Sequence, residues 1–215
     1  MTYWCDRHRA SQISQSLKIG LLGGSFNPAH EGHVHISLMG LKRLKLDEVW
    51  WLVSPQNPLK KADELASYDE RLQSARSIAA SHPHIRVLDL EQQQHLAYTI
   101  DTIRYLQKRF PHAHYVWLMG ADNLAQFHRW RKWKTIAKRI PFAVFDRLPY
   151  ANAALRKPAA AALSRFRLPA SQASVLAQKN PPSWVFLPIP THPASATDLR
   201  KKLGKKAFMR HNKGE

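Results

Sequence analysis

Short apolar runs alternate along this chain with longer stretches whose apolar residues recur every three or four positions, the spacing of one buried helix face. The first run, Leu17 to Leu22, ends in Gly23-Gly24 and reads as a strand closed by a turn. Gly32 to Lys45 follows, with Val34, Leu38 and Leu41 at helical spacing, so a helix burying those three is expected. Glu48 to Val53 is the second strand. After the Pro-, Asn- and Lys-rich loop Ser54 to Asp63, Ser67 and Glu70 have the spacing of a capping box and open a helix to about Ala80. Ile85 to Leu88 is a third strand, and Thr99 to Lys108 a helix with Ile100, Ile103 and Leu106 inward. Tyr115 to Met119 has no polar face at all, so it belongs at the centre of a sheet covered on both sides.

This alternation predicts an α/β fold, because parallel neighbouring strands need crossover connections and helices supply them. The expected architecture is one domain built on a doubly wound, Rossmann-like parallel sheet with helices on both faces. Phe142 to Phe145 and Trp184 to Leu187 would be its last two strands and Thr197 to Leu203 a C-terminal helix. Ala151 to Pro182, rich in Ala, Pro, Ser and Gln, has no clear period and reads as partly helical and peripheral. The expected boundaries are a flexible extension over 1–16, the domain over 17–204 and a basic tail over 205–215.

Composition narrows the class without naming a chemistry. A chain of 215 residues with 44% hydrophobic and 22% charged residues can bury one substantial core. No apolar run approaches the roughly 20 residues of a membrane span, and the N-terminal stretch lacks the apolar core of a secretory signal. Cys5 is the lone cysteine, which excludes an internal disulfide and a thiolate-rich zinc site, so the cytoplasm is the expected compartment. The excess of 33 Lys and Arg over 15 Asp and Glu, a net +18, attracts anions, whether nucleic acid or small phosphates. The basic residues crowd between Arg129 and Arg147, among Trp130 and Trp133, and between Arg200 and Lys213.

The stretch Gly23-Gly24-Ser25-Phe26-Asn27-Pro28-Ala29-His30-Glu31-Gly32-His33 lies between the first strand and the first helix, where open α/β sheets bind ligands. It is neither a dinucleotide fingerprint nor a P-loop. Adjacent glycines let a backbone approach a ligand, and a helix start presents free N–H groups and a positive dipole end to phosphate. His30 and His33, three residues apart, fall on one side of the first turn and can reach one anion. Each piece also has an ordinary explanation: a plain turn, or surface histidines that His35 joins as a chance metal site. Near the C-terminus, Ser195, Thr197 and Arg200 stand where hydroxyls, a helix start and a fixed positive charge could hold phosphate, or where a simple cap precedes a basic helix.

Together the GGSFNP loop, the HxGH sequence of 30–33 and the Ser195–Thr197–Arg200 segment resemble the HxGH nucleotidylyltransferase superfamily, whose members move a nucleotidyl group from a triphosphate to a phosphate. From Lys18 to Leu203 the chain resembles bacterial nicotinate-nucleotide adenylyltransferases more specifically. Trp51 to Lys60 is similar to that family's second strand and basic substrate loop, with Leu59 where many members have His; Asn57 and Lys60 are its candidate contacts. Ala97-Tyr98-Thr99-Ile100-Asp101-Thr102 is similar to the segment that touches the mononucleotide, with Tyr98 and Thr99 as candidates, although Thr99 also reads as a helix cap. Gly120 to Trp130 resembles G-x-D-x-L-x-x-F-x-x-W, which implies mononucleotide contacts from Asp122 and stacking of the pyridine ring on Trp130. Arg131, Lys132 and Trp133 beside it favour a carboxylated ring over its amide. Asp146-Arg147-Leu148-Pro149-Tyr150 resembles the family's R-x-G/P-Y turn, with Arg147 a candidate phosphate contact.

The resemblance implies transfer of AMP from ATP to nicotinate mononucleotide, giving deamido-NAD and pyrophosphate in NAD biosynthesis. The implied catalytic residues are His30, His33 and Arg200, and the implied ATP contacts are Gly23, Gly24, Ser25, Phe26, Ser195, Thr197 and Arg147. Mg²⁺ would travel with ATP with few or no protein ligands, because the loop's only carboxylate is Glu31; no resident metal is expected. Expected partners are ATP and nicotinate mononucleotide rather than membrane or nucleic acid, with a homo-oligomer left open. The competing readings are another HxGH enzyme, such as phosphopantetheine adenylyltransferase, and a basic RNA-binding protein.

Overall fold

A computed structural model describes residues 16–55, 66–146 and 151–190, with side chains from 153 onward in the last stretch. The apolar runs become seven parallel strands: β1 (Lys18–Gly24), β2 (Glu48–Val53), β3 (Ile85–Leu88), β4 (His114–Gly120), β5 (Phe142–Phe145), β6 (Arg167–Leu168) and β7 (Trp184–Leu187). They form one sheet in the order β3-β2-β1-β4-β5-β7-β6. The chain starts in the middle, winds outward through β2 to β3, then returns to the other side of β1 as β4, pairing Leu22 with Leu118. Winding reverses between β1 and β4, and the carboxyl ends of those two strands form the crevice where such sheets take ligands. The expected α/β, doubly wound architecture is the one observed.

Alternate side chains of each strand enter two cores, as a sheet buried on both faces requires. One core takes Leu21, Trp50, Trp117, Met119, Phe142 and Trp184 against α4 (Thr99–Arg109), α5 (Ala121–Gln126), α6 (Trp133–Ala137), α7 (Ala151–Leu155) and α8 (Pro158–Ala162). The other takes Leu22, Trp51, Val53, Leu118 and Phe145 against α1 (Glu31–Leu44), α2 (Tyr68–Ala79) and the 3₁₀ segment Ala170–Gln178. A short helix, α3 (Leu90–Gln93), follows β3. The predicted capping box is present: the Ser67 hydroxyl accepts from the Glu70 N–H at 3.3 Å, and the Glu70 carboxylate accepts from the Ser67 N–H at 3.0 Å.

Three expectations are corrected. Gly23 and Gly24 continue β1 instead of forming a turn, and a Cβ on Gly23 would lie 2.7 Å from the ring of Trp117, so the glycine makes room for a neighbouring indole. In α1 Val34 is buried and Leu41 packs against the same core, as expected, but Leu38 is exposed, while Ser37 and Gly40 are buried. Small residues win there because they let the helix lie close, with a Cβ on Gly40 already only 3.2 Å from Leu118. Ala151 to Pro182 is partly helical and reaches the sheet's edge, as expected, but it also contributes to both cores. It supplies β6, which borders β7, and it buries Ala154, Ala159, Ala160, Ala173 and Leu176, while the Leu163 carbonyl accepts from Trp184 Nε1 at 2.8 Å. The expected C-terminal helix lies outside the described residues.

Candidate active site

At the carboxyl end of β1 the chain crosses from Ser25 to His30 and enters α1 at the switch point. Phe26 takes φ 46°, in the left-handed region, at a cost on the order of 1–2 kcal/mol for a residue with a Cβ. The bend turns its side chain beneath the loop, where it is 2% exposed and stacks on Trp51 at 5.0 Å between centroids. The phenyl ring thus belongs to the floor of the site, and any contact with a nucleotide comes from the Phe26 backbone.

His30 is the N-cap of α1. Its Nδ1 accepts the Gly32 N–H at 3.0 Å, and Nδ1 of His33 accepts the His30 N–H at 3.2 Å, so the two imidazoles form a reciprocal capping box. A backbone N–H can only donate, so both Nδ1 atoms carry lone pairs. Each neutral ring therefore bears its proton on Nε2. The rings lie 4.0 Å apart. His33 also meets Phe26 at 4.7 Å and Trp51 at 5.8 Å, and its carbonyl accepts from the Ser37 hydroxyl, which in turn accepts from Trp51 Nε1, each at 2.8 Å. The two histidines are thus tautomerically fixed and held from below.

On the β4 side lie four of the residues expected to contact the mononucleotide, Tyr98, Thr99, Asp122 and Trp130. Trp130 is half-buried rather than exposed, because its ring packs edge-on against Phe127 at 5.3 Å and Trp117 at 6.0 Å. Trp117 is the same indole that occupies the space above Gly23, so Trp130 is keyed to β1 through it. Arg131 lies 4.3 Å from the Tyr98 ring centroid, joining the start of α4 to the Gly120–Trp130 segment. Tyr98 is the N-cap residue of α4 and has no side-chain cap bond, so Thr99 is not the cap that its sequence suggested. Asp122 Oδ1 and Trp117 Nε1 are buried with no hydrogen-bond partner among the described residues.

Arg71 had no place in the sequence reading. It is 2% exposed, and its guanidinium donates to the carbonyls of Ser25 (2.6 Å), Ser54 (2.7 Å), Pro55 (2.8 Å) and Ala66 (3.1 Å). Its position one turn before Ala75 on the apolar stripe of α2 was the available signal. Glu91, likewise missed, is buried beside Thr102, whose hydroxyl donates to it at 2.7 Å; burial pushes its carboxyl up to about 7, with the Thr102 bond opposing. Tyr68, next to Arg71, is pushed up to about 12, first by burial and then by Asp89.

Gly23, Gly24, Ser25, Phe26, His30 and His33 therefore line one edge of the switch point, and Tyr98, Thr99, Asp122 and Trp130 lie on elements packed together on the sheet's other face. Asn57, Lys60, Arg147, Ser195, Thr197 and Arg200 lie outside the described residues, as does Leu59. Among the described residues no group of three or more His, Cys, Asp or Glu side chains could hold a metal ion, and no helix is long and apolar enough to cross a membrane.

Comparison with known proteins bears on the family and the fold. The cytidylyltransferase-like family model matches residues 21–202. A "probable nicotinate-nucleotide adenylyltransferase" of Bradyrhizobium sp. (strain BTAi1) is 52% identical over 188 residues, 87% of this chain and 97% of that one. Its counterpart in Parvibaculum lavamentivorans is 47% identical over 196 residues, 91% of this chain and 97% of its own. Among solved structures, Plasmodium falciparum nicotinic acid mononucleotide adenylyltransferase complexed with NaAD shares the fold at a TM-score of 0.64 and 18% identity, over 92% of this chain and 89% of that one. The same enzyme complexed with APC gives 0.64 and 17%, over 88% and 85%. By the extent of these matches, the chain belongs to the cytidylyltransferase-like family, among the nicotinate-nucleotide adenylyltransferases.

Proposed function

We propose that this protein transfers AMP from ATP to nicotinate mononucleotide, giving nicotinate adenine dinucleotide and pyrophosphate. The observation that carries the reading is the pair of histidines built into the start of α1, each with Nδ1 committed to the backbone and its proton on Nε2. A phosphate held at that helix start would meet backbone N–H groups, a positive dipole end and imidazole donors.

A phosphate oxygen of the mononucleotide attacks the α-phosphorus of ATP, the bond from that phosphorus to the β-phosphate oxygen breaks, and pyrophosphate departs. The nucleophile is already an anion, so the protein's task is alignment and neutralisation of charge on the α-phosphate oxygens rather than deprotonation. His30 and His33 donate hydrogen bonds from Nε2 to those oxygens, and Arg200 supplies the neutralising charge. Gly23, Gly24, the Ser25–Phe26 backbone, Arg147, Ser195 and Thr197 hold the nucleotide. Asn57, Lys60, Tyr98, Thr99 and Asp122 hold the mononucleotide, with its pyridine ring stacked on Trp130. Mg²⁺ enters as the counter-ion of ATP, part of the substrate, held chiefly by phosphate and water.

The test offers nicotinate mononucleotide, nicotinamide mononucleotide and phosphopantetheine separately with ATP and follows pyrophosphate release. Nicotinate mononucleotide should exceed the amide by at least about tenfold in kcat/KM, since a ring carboxylate accepts charge-assisted hydrogen bonds that the amide cannot match. Equal constants would make the enzyme dual-specific, and activity with phosphopantetheine alone would overturn the reading.

A further inference from the structure

The loop after β1 and the loop after β2 must hold two different substrates at a fixed distance, and one side chain touches both. Arg71 spends four of its five N–H donors on four carbonyls from three chain segments. Ser25 belongs to the loop that leads to His30. Ser54 and Pro55 immediately precede residues 56–65, and Ala66 immediately follows them, so the guanidinium ties both ends of that segment to the nucleotide loop. A second bond reinforces the tie: Asn27 Oδ1, on the nucleotide loop, accepts the Ala66 N–H at 3.0 Å. Tyr68 packs its ring against the same guanidinium at 5.4 Å.

We infer that Arg71 is a positioning residue that sets the distance between the bound ATP and the bound mononucleotide by pinning their two loops to one another. The inference rests on the proposed function for the identity of the substrates, and on geometry alone for the pinning. Four carbonyls converging on one planar fork fix the loops more tightly than any single bond, and no other residue type can reproduce it. Lysine keeps the charge but gathers its three donors at a single point, so it cannot span carbonyls that approach from different directions. In-line attack depends on reactant separation at the ångström scale, so loosened loops should lower turnover even though each loop can still take its own ligand.

Wild-type protein and Arg71→Lys are titrated separately with a non-hydrolysable ATP analogue and with nicotinate mononucleotide, and kcat is measured with both substrates saturating. The expectation is one site per chain for each ligand in both proteins, an ATP-analogue Kd within about threefold of wild type, and kcat at least about tenfold lower in the variant. Unchanged kcat per binding site, or a loss of kcat matched by lost binding sites, overturns the inference, since the second is what a merely structural residue would give. Failure of the proposed function looks different, because the wild type itself would then make no dinucleotide. If Arg71→Lys does not fold, hydrogen exchange on the wild type decides. The ATP analogue alone should slow exchange of the Ala66 amide, which donates to Asn27 on the nucleotide loop while Arg71 holds the Ala66 carbonyl, and of the Arg71 amide, which donates to Ser67 next in the chain; unchanged exchange at both overturns the inference.

Discussion

Replacing Glu91 by Gln should leave the protein nearly as stable as wild type at pH 5 and make it more stable at pH 8. Glu91 lies in α3, 7% exposed, with Oε1 accepting the hydroxyl of Thr102, itself wholly buried in α4. Burial raises its carboxyl from 4.5 to about 7, against the opposing Thr102 bond. The fold therefore prefers the protonated form. Between pH 4.5 and about 7 the unfolded chain releases a proton that the folded chain retains, so this group makes stability fall as pH rises, and the effect levels off above pH 7. Each unit of separation is worth about 1.4 kcal/mol, so the loss between pH 5 and pH 8 is on the order of 2–3 kcal/mol. Gln keeps an acceptor for Thr102 and does not titrate. Urea unfolding of both proteins at the two pH values isolates the term, because every other titrating group cancels in the difference. A stability difference that is the same at pH 5 and pH 8 would refute the reasoning.

Trp130→Ala should raise KM for nicotinate mononucleotide, since loss of a stacking face removes roughly 1–3 kcal/mol of binding felt in ground and transition states alike, while KM for ATP hardly moves; steady-state kinetics with each substrate varied in turn would show it, and an unchanged mononucleotide KM would remove the stacking role. Gly23→Ala should cost about 1–3 kcal/mol in thermal or urea unfolding, because the new methyl lies 2.7 Å from the buried Trp117 ring. Since Trp117 abuts Trp130, the same variant should also raise the mononucleotide KM; wild-type stability would show that Trp117 has room to move.

Much of the fold could be read from the chain because the strands are buried on both faces, and runs such as Val49 to Val53 and Tyr115 to Met119 have no competing interpretation. What escaped was carried by small residues. Ser37 and Gly40 are buried in α1 beside Val34, Ile36 and Leu44, yet periodicity weighs Leu38, which points to solvent. The alanines of 154, 159, 160 and 173 build a core through close approach rather than bulk, so their segment looked peripheral, and the two residues of β6 are too few to make a pattern. The site was legible where a motif is local, as in His30 and His33. It was not legible where the chemistry depends on tertiary placement: nothing in the sequence says that Arg71 reaches four carbonyls, that Trp117 fills the space over Gly23, or that the Phe26 ring lies under its own loop.

The account stands on AMP transfer at the two-histidine start of α1, and the most direct measurement is kcat for His33→Ala with ATP and nicotinate mononucleotide saturating. The substitution removes one capping-box acceptor, which costs about 1 kcal/mol of stability, so the variant should remain folded and can be verified by its melting transition. A donor aimed at charge developing on a transferring group is worth roughly 10²–10³ in kcat. The predicted result is a fall of that size with KM for ATP little changed, whereas a folded His33→Ala protein with kcat within about threefold of its parent would contradict the account.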